Sequence, residues 1–230
     1  MRTKLWLLFG LFILSGAVQL AVAQSSVELG FLPAINVNRK FEGGWGLNAK
    51  VESRTMLLQS HSELESAWDP DYGLTDFILL GSRKVGLAHS VAAGYVFRWR
   101  PGDNAHRSVQ QFTFVQPLTG VRLAHRVSTD QTFSEQKPPV FRLRYRLVAE
   151  WPLSGQELDP REPYIKLGNE YLQAWQAGSG DLEIRAIPTL GYAFTDNSKL
   201  ELGLDYRVNG FVQGAAEQTL WTALQWFLTW

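Results

Sequence analysis

The sequence predicts an all-β chain, a transmembrane antiparallel up-and-down β-barrel that follows a cleaved signal peptide. Three observations carry that expectation. Apolar and polar residues alternate with period two along almost the whole chain, which sorts side chains onto the two faces of a strand and would smear them around a helix. The alternating runs are mostly 12–15 residues long, against about five or six in soluble sheets and about 9–11 for a tilted membrane strand. The connectors are short and long by turns.

Composition agrees with this. The 230 residues carry 22 basic and 22 acidic side chains, so there is no basic footprint for nucleic acid. Nine Trp and thirteen Phe beside 20 Gly favour strands over helices. The absence of cysteine excludes a disulfide scaffold, a thiolate zinc site, a cysteine nucleophile and a lipoprotein anchor.

Residues 1–23 read as an export signal. Arg2 and Lys4 form a positive segment, Leu5 to Leu14 an apolar run, and Ala21-Val22-Ala23 a cleavage site. The apolar stretch ends by Val18, short of the roughly 18–20 residues that span a bilayer as a helix. Cleavage removes Arg2 and Lys4, takes the net charge from zero to −2, and leaves residues 24–230 as a single domain.

Eleven runs follow, near 27–41, 44–58, 72–84, 87–100, 107–118, 121–133, 140–152, 163–176, 182–195, 198–212 and 218–230. In the first, Val27, Leu29, Phe31, Ile35 and Val37 alternate with Glu28, Asn36, Asn38 and Lys40. In the second, Trp45, Leu47, Ala49 and Val51 oppose Asn48, Lys50, Glu52 and Arg54. The clearest is Phe141-Arg142-Leu143-Arg144-Tyr145-Arg146-Leu147, with one apolar and one cationic face. Short connectors fall at Glu42–Gly44, Val85–Gly86, Thr119–Gly120 and Asp196–Asn197. Longer ones fall at Gln59–Asp71, Pro101–His106, Ser134–Pro139 and Ala177–Asp181, and Ser154–Glu162 breaks the alternation. An exported chain keeps both termini in the periplasm, which requires an even strand number. Twelve strands are therefore expected, with ten as the alternative, and Gln59–Asp71 and Ser154–Glu162 are where the count can shift.

Alternation alone fits a soluble β-sandwich turned apolar side in as well as a barrel turned apolar side out. Aromatic residues near strand ends favour the barrel: Tyr72, Tyr95, Trp99, Trp151, Tyr164, Trp175, Tyr192, Trp226 and Trp230 stand where interfacial girdles stand. The ending Trp226-Phe227-Leu228-Thr229-Trp230 has the pattern that the outer-membrane barrel-assembly machinery reads, which makes Trp226, Leu228 and Trp230 the assembly signal. The layout of strand, short turn, strand and longer loop, with FRLRYRLVAEW at Phe141–Trp151 and GYAFTDNSKLELGLDYR at Gly191–Arg207, resembles the bacterial family called domain of unknown function 2490. That resemblance implies an outer-membrane barrel of a Gram-negative bacterium and no assigned activity.

The polar face offers Arg122, Arg126, Arg142, Arg144, Arg146, Glu150, Glu170, Arg185, Asp205 and Arg207 as lumen-lining candidates. They describe either a narrow porin-like pathway for small anionic solutes or a structural barrel closed by ion pairs. His106-Arg107-Ser108 is the one catalytic pattern. His and Ser two apart share a strand face, as a lipid A deacylase-like hydrolase would use them, but the Asn that usually follows that Ser is Val109 here. His61, His89 and His125 lack partners at metal-ligand spacing, and Asp69-Pro70-Asp71 is only a fragment of a calcium loop. The expectation is a non-enzymatic barrel without cofactor or metal, in contact with the lipid bilayer, lipopolysaccharide and the assembly machinery, and not with nucleic acid.

Overall fold

The computed structural model describes residues 27–62, 65–210 and 216–230. The expected export signal, residues 1–23, lies outside them. The described residues form β1 (Val27–Lys40), β2 (Trp45–Ser62), β3 (Glu65–Lys84), β4 (His89–Trp99), β5 (Ala105–Leu118), β6 (Val121–Ser134), β7 (Val140–Pro152), β8 (Glu162–Gln176), β9 (Ser179–Thr195), β10 (Ser198–Asn209) and β11 (Glu217–Thr229). The one helical element among them is a 3-10 turn at Glu42–Gly44.

Each strand pairs with its sequence neighbours, and the sheet closes into a barrel when β1 meets β11. Neighbouring strands are antiparallel, whereas the closing pair is parallel, in register from Val27↔Gln218 to Asn38↔Thr229. The barrel thus has eleven strands, not twelve or ten. Parity fails as a guide because a parallel ladder satisfies edge N–H and C=O groups as an antiparallel one does, with little loss per residue. One consequence is that Val27 and Trp230 lie at opposite rims. Trp230 extends the seam past β11: its amide donates to the Asn38 carbonyl at 2.9 Å, and its carbonyl accepts from the Lys40 amide at 2.9 Å.

The connectors expected to be short gather at the rim where β11 ends, joined there by the longer 153–161 segment. The expected long connector Ala177–Asp181 is a two-residue turn at the opposite rim, because Ser179 to Asp181 already pair in β9. Within the expected long connector Gln59–Asp71, residues 59–62 and 65–71 instead continue two strands. Gln59 pairs with Ala67, Ser60 with Ser66 and Ser62 with Glu65, with register shifts between Arg54 and Thr55 and again beyond Met56. Strand pairing there rests on backbone hydrogen bonds, and a polar hairpin above the apolar zone shows no alternation to read.

The faces are inverted relative to a soluble barrel. Phe141, Leu143 and Tyr145 on β7, Leu202 and Leu204 on β10, and Phe77 and Leu79 on β3 are exposed outside. Glu52, Asp76, Asp130, Glu170, Glu201 and Asp205 are buried inside. Tyr164 departs from the girdle expectation. It is fully buried in the lumen, donating its hydroxyl to Glu201 Oε1 at 2.7 Å. Its ring lies flat on Gly191, where any Cβ would come within 2.2 Å of it, so the glycine makes room for the ring.

The parallel seam is directly testable. Cysteines placed at the partners Val37 and Leu228 should cross-link on oxidation or with a short bifunctional thiol reagent, giving a circularised chain with altered mobility on a denaturing gel. No cross-link in the assembled protein would mean that β1 and β11 are not neighbours.

Candidate functional site in the barrel lumen

Side chains of alternate residues from all eleven strands converge on a cavity of about 580 Å³. Its lining runs from Asn38, Asn48 and Phe227, near the rim where β11 ends, to Asp76, Asp130, Glu170 and Arg207 around mid-barrel. Arg122, Arg126, Arg144, Arg146, Glu150, Glu170, Arg185, Asp205 and Arg207 all line it. Arg142 points to the same side of β7 and is held by Asp130 next to the cavity floor.

That floor is a belt of ion pairs. Asp130 accepts from Arg142 Nε at 2.6 Å and Arg144 Nη2 at 3.1 Å, with Arg107 Nε at 3.5 Å. Glu170 faces Arg144 at 3.5 Å and Arg185 at 3.2 Å, and Glu183 also holds Arg185. Arg98 grips both oxygens of Asp76 at 2.7 and 2.6 Å, and Arg207 both oxygens of Asp205 at 3.1 and 2.6 Å. Glu52 sits between Lys50 at 2.6 Å and Arg54 at 3.0 Å. Nearer the mouth, Lys166 meets Glu201 at 2.7 Å and Arg122 meets Glu150 at 3.8 Å. Beside the belt, Leu32, Trp221 and Ala223 pack with Met56 and fill the lumen under β1 and β11.

Two of the acids among the lumen candidates, Glu170 and Glu150, have different partners. Glu170 takes Arg144, while Glu150 faces Arg122 on the neighbouring strand. The acid that anchors the ladder is Asp130, which is not among the candidates above although it shares parity with Arg122 and Arg126 in the same run. Asp76 was hidden differently. Ile78 and Leu80 follow it on the lumen face while Phe77 and Leu79 stand outside, so the run reads as uniformly apolar.

The histidines stand on the other face. His106 and Ser108 both point outward from β5 and are not bonded to one another. Ser108 Oγ donates to Gln131 Oε1 at 2.5 Å, and the His106 ring contacts the Tyr95 hydroxyl and lies 5.4 Å from the Phe97 ring. His89 stacks on Phe112 and Phe114, and His125 lies between Phe114 and Tyr145. Among the described residues no group of three His, Cys, Asp or Glu is arranged to hold a metal ion. The side chains of His61, Glu63 and Glu65 lie outside the described ones, and Asp69 to Asp71 belong to β3. On β11, Trp226 is exposed and donates its indole N–H to Ser198 Oγ at 3.1 Å, and Trp230 is exposed at the rim.

The family model described as "Protein of unknown function (DUF2490)" matches residues 29–218. The chain belongs to that family. No curated protein and no solved structure matches it. The DUF2490 match takes in β1 through the start of β11, so the whole lumen belt lies inside it.

In this DUF2490 barrel the belt's energetics rest on its acids. Asp130→Asn leaves three guanidiniums without their shared carboxylate and should cost about 3–5 kcal/mol of stability in urea unfolding. Arg122→Gln, at a pair whose arginine is 54% exposed, should cost less than about 1 kcal/mol. Equal effects of the two would contradict the belt's role.

Proposed function

We propose that this DUF2490 chain is an outer-membrane barrel of a Gram-negative bacterium, exported by the signal at residues 1–23, inserted by the barrel-assembly machinery and embedded in phospholipid and lipopolysaccharide. The observation that carries this reading is the inverted distribution of side chains. In water, the exposed belt of Phe, Leu, Trp and Tyr would form an apolar surface far larger than the few hundred Å² that soluble monomers tolerate. In a bilayer the same belt is the favourable surface, and the closed sheet leaves no backbone donor or acceptor facing lipid.

The barrel serves as a blind structural chamber without enzymatic activity. Support comes from the floor, where buried acids are each held by one to three basic groups and the space between strands is taken up by the pairs themselves. A second reading, a narrow pathway for small anions, is favoured by one observation. Ten Lys and Arg line the cavity against seven Asp and Glu.

Two measurements separate these readings. Purified protein in a planar bilayer should give no conductance above background; a steady, anion-selective current would establish the pathway instead. Insertion itself is tested at Leu143, which is 44% exposed on the outer face. Leu143→Arg costs about 2–4 kcal/mol near a bilayer midplane and should deplete the folded, heat-modifiable form, while Leu143→Phe keeps it. Equal assembly of the two variants would contradict membrane insertion.

A further inference from the structure

Of the ten Lys and Arg that line the cavity, eight have a carboxylate within 4.0 Å. The other two are Arg126 and Arg146, and they are direct partners across β6 and β7. Neither has a carboxylate within 4.0 Å and neither donates a hydrogen bond to another described residue, although Glu170 attracts both at longer range. The Arg146 Nε is buried with no acceptor. Like charges directly opposite on adjacent strands destabilise a sheet, and the cost grows where water is scarce.

The local register shows that the pair is left over, not merely distant from acids. Thr113, Arg126, Arg146, Glu170, Arg185 and Arg207 occupy successive partner positions across β5 to β10. Arg146 is therefore directly opposite Glu170, yet that carboxylate is taken by Arg144 from one side and Arg185 from the other. Toward the mouth, the next lumen positions on β6, β7 and β8 are Ala124, Val148 and Gly168, all lining the cavity. They are small and apolar and compete for neither guanidinium. A Cβ on Gly168 would sit 3.7 Å from Arg146 Nη2, so this guanidinium lies over the glycine on the open side of the belt.

We propose that Arg126 and Arg146 form a binding site for one small oxyanion, a phosphate or carboxylate group that enters the chamber from the rim where β11 ends. Two planar guanidiniums on adjacent strands present several N–H donors to one set of acceptor oxygens, which is the geometry that arginine offers to phosphate and carboxylate. The ligand's negative charge offsets the repulsion between the pair. This goes beyond the membrane reading and does not depend on it, since a blind chamber and a conducting one hold the same site.

The test uses the full mature chain refolded in detergent at low ionic strength, with folding checked by heat-modifiable mobility. Inorganic phosphate, and separately acetate, should raise the unfolding temperature above that in sodium chloride of equal ionic strength, because a ligand that binds only the folded state stabilises it by mass action. Response to phosphate alone assigns a phosphate ligand, and response to acetate a carboxylate one. The Arg126→Gln/Arg146→Gln variant should unfold at a higher temperature than the wild type without added anion. Its affinity by titration calorimetry should fall tenfold or more, the scale of losing charge-assisted hydrogen bonds. A wild type indifferent to both anions, or a folded double variant that responds as the wild type does, would overturn the site. If the double variant does not assemble, the wild-type response decides alone.

Discussion

The parallel seam between β1 and β11 is the constraint on which the rest of the structure depends. Ten antiparallel pairings build a curved sheet, but without the eleventh that sheet keeps two edges and an open lumen. An open edge presents a row of unpaired N–H and C=O groups, which templates aggregation in water and costs several kcal/mol per group in hydrocarbon. The twelve-position register from Val27 to Asn38, extended by both backbone bonds of Trp230, removes that row. The last residue is therefore part of the closure as well as a rim aromatic, and two separate physical roles fall on one side chain and its backbone.

Closure makes the charged lumen sustainable. A carboxylate buried against the barrel wall is costly without a partner, and the belt supplies partners by sharing. One aspartate serves Arg107, Arg142 and Arg144, and one glutamate serves Arg144 and Arg185. Such pairs do little more than offset their own desolvation, so their removal is costly although their presence adds little. Sharing also leaves a remainder. Where cations outnumber acids along one register row, two guanidiniums end up adjacent and unclaimed, which is the origin of the proposed oxyanion site.

Much of this was legible in the sequence. Alternation located all eleven runs, but the sorting of connectors into short and long held only in part: 153–161 is long at the short-turn rim, and Gln59–Asp71 and Ala177–Asp181 are mostly strand at the other. The parity of the β7 arginines placed them on the lumen side, because no strand can put Arg142, Arg144 and Arg146 on different faces. What stayed hidden has physical reasons. The strand number was overridden by a rule about termini that a parallel seam does not obey. The Gln59–Asp71 hairpin was missed because main-chain pairing leaves no hydropathy trace in polar residues. Tyr164 was read as an interfacial aromatic because strand-end position does not tell inward from outward, whereas its odd–even relation to Ile165 and Leu167, both exposed outside, does. Asp130 lay between Thr129 and Gln131, where polar residues on both faces blur the alternation.

The central claim is that this barrel stands in a bilayer with its apolar face outward, and β7 allows it to be tested residue by residue. The chain has no cysteine of its own, so single cysteines introduced from Phe141 to Leu147 and spin-labelled report one position each. After reconstitution into phospholipid vesicles, collision with oxygen, which concentrates in the acyl region, should be high at positions 141, 143, 145 and 147 and low at 142, 144 and 146, with period two. A water-soluble nickel complex should leave the odd positions untouched. Odd positions readily reached by the nickel complex, or an oxygen pattern with the opposite phase, would contradict the account.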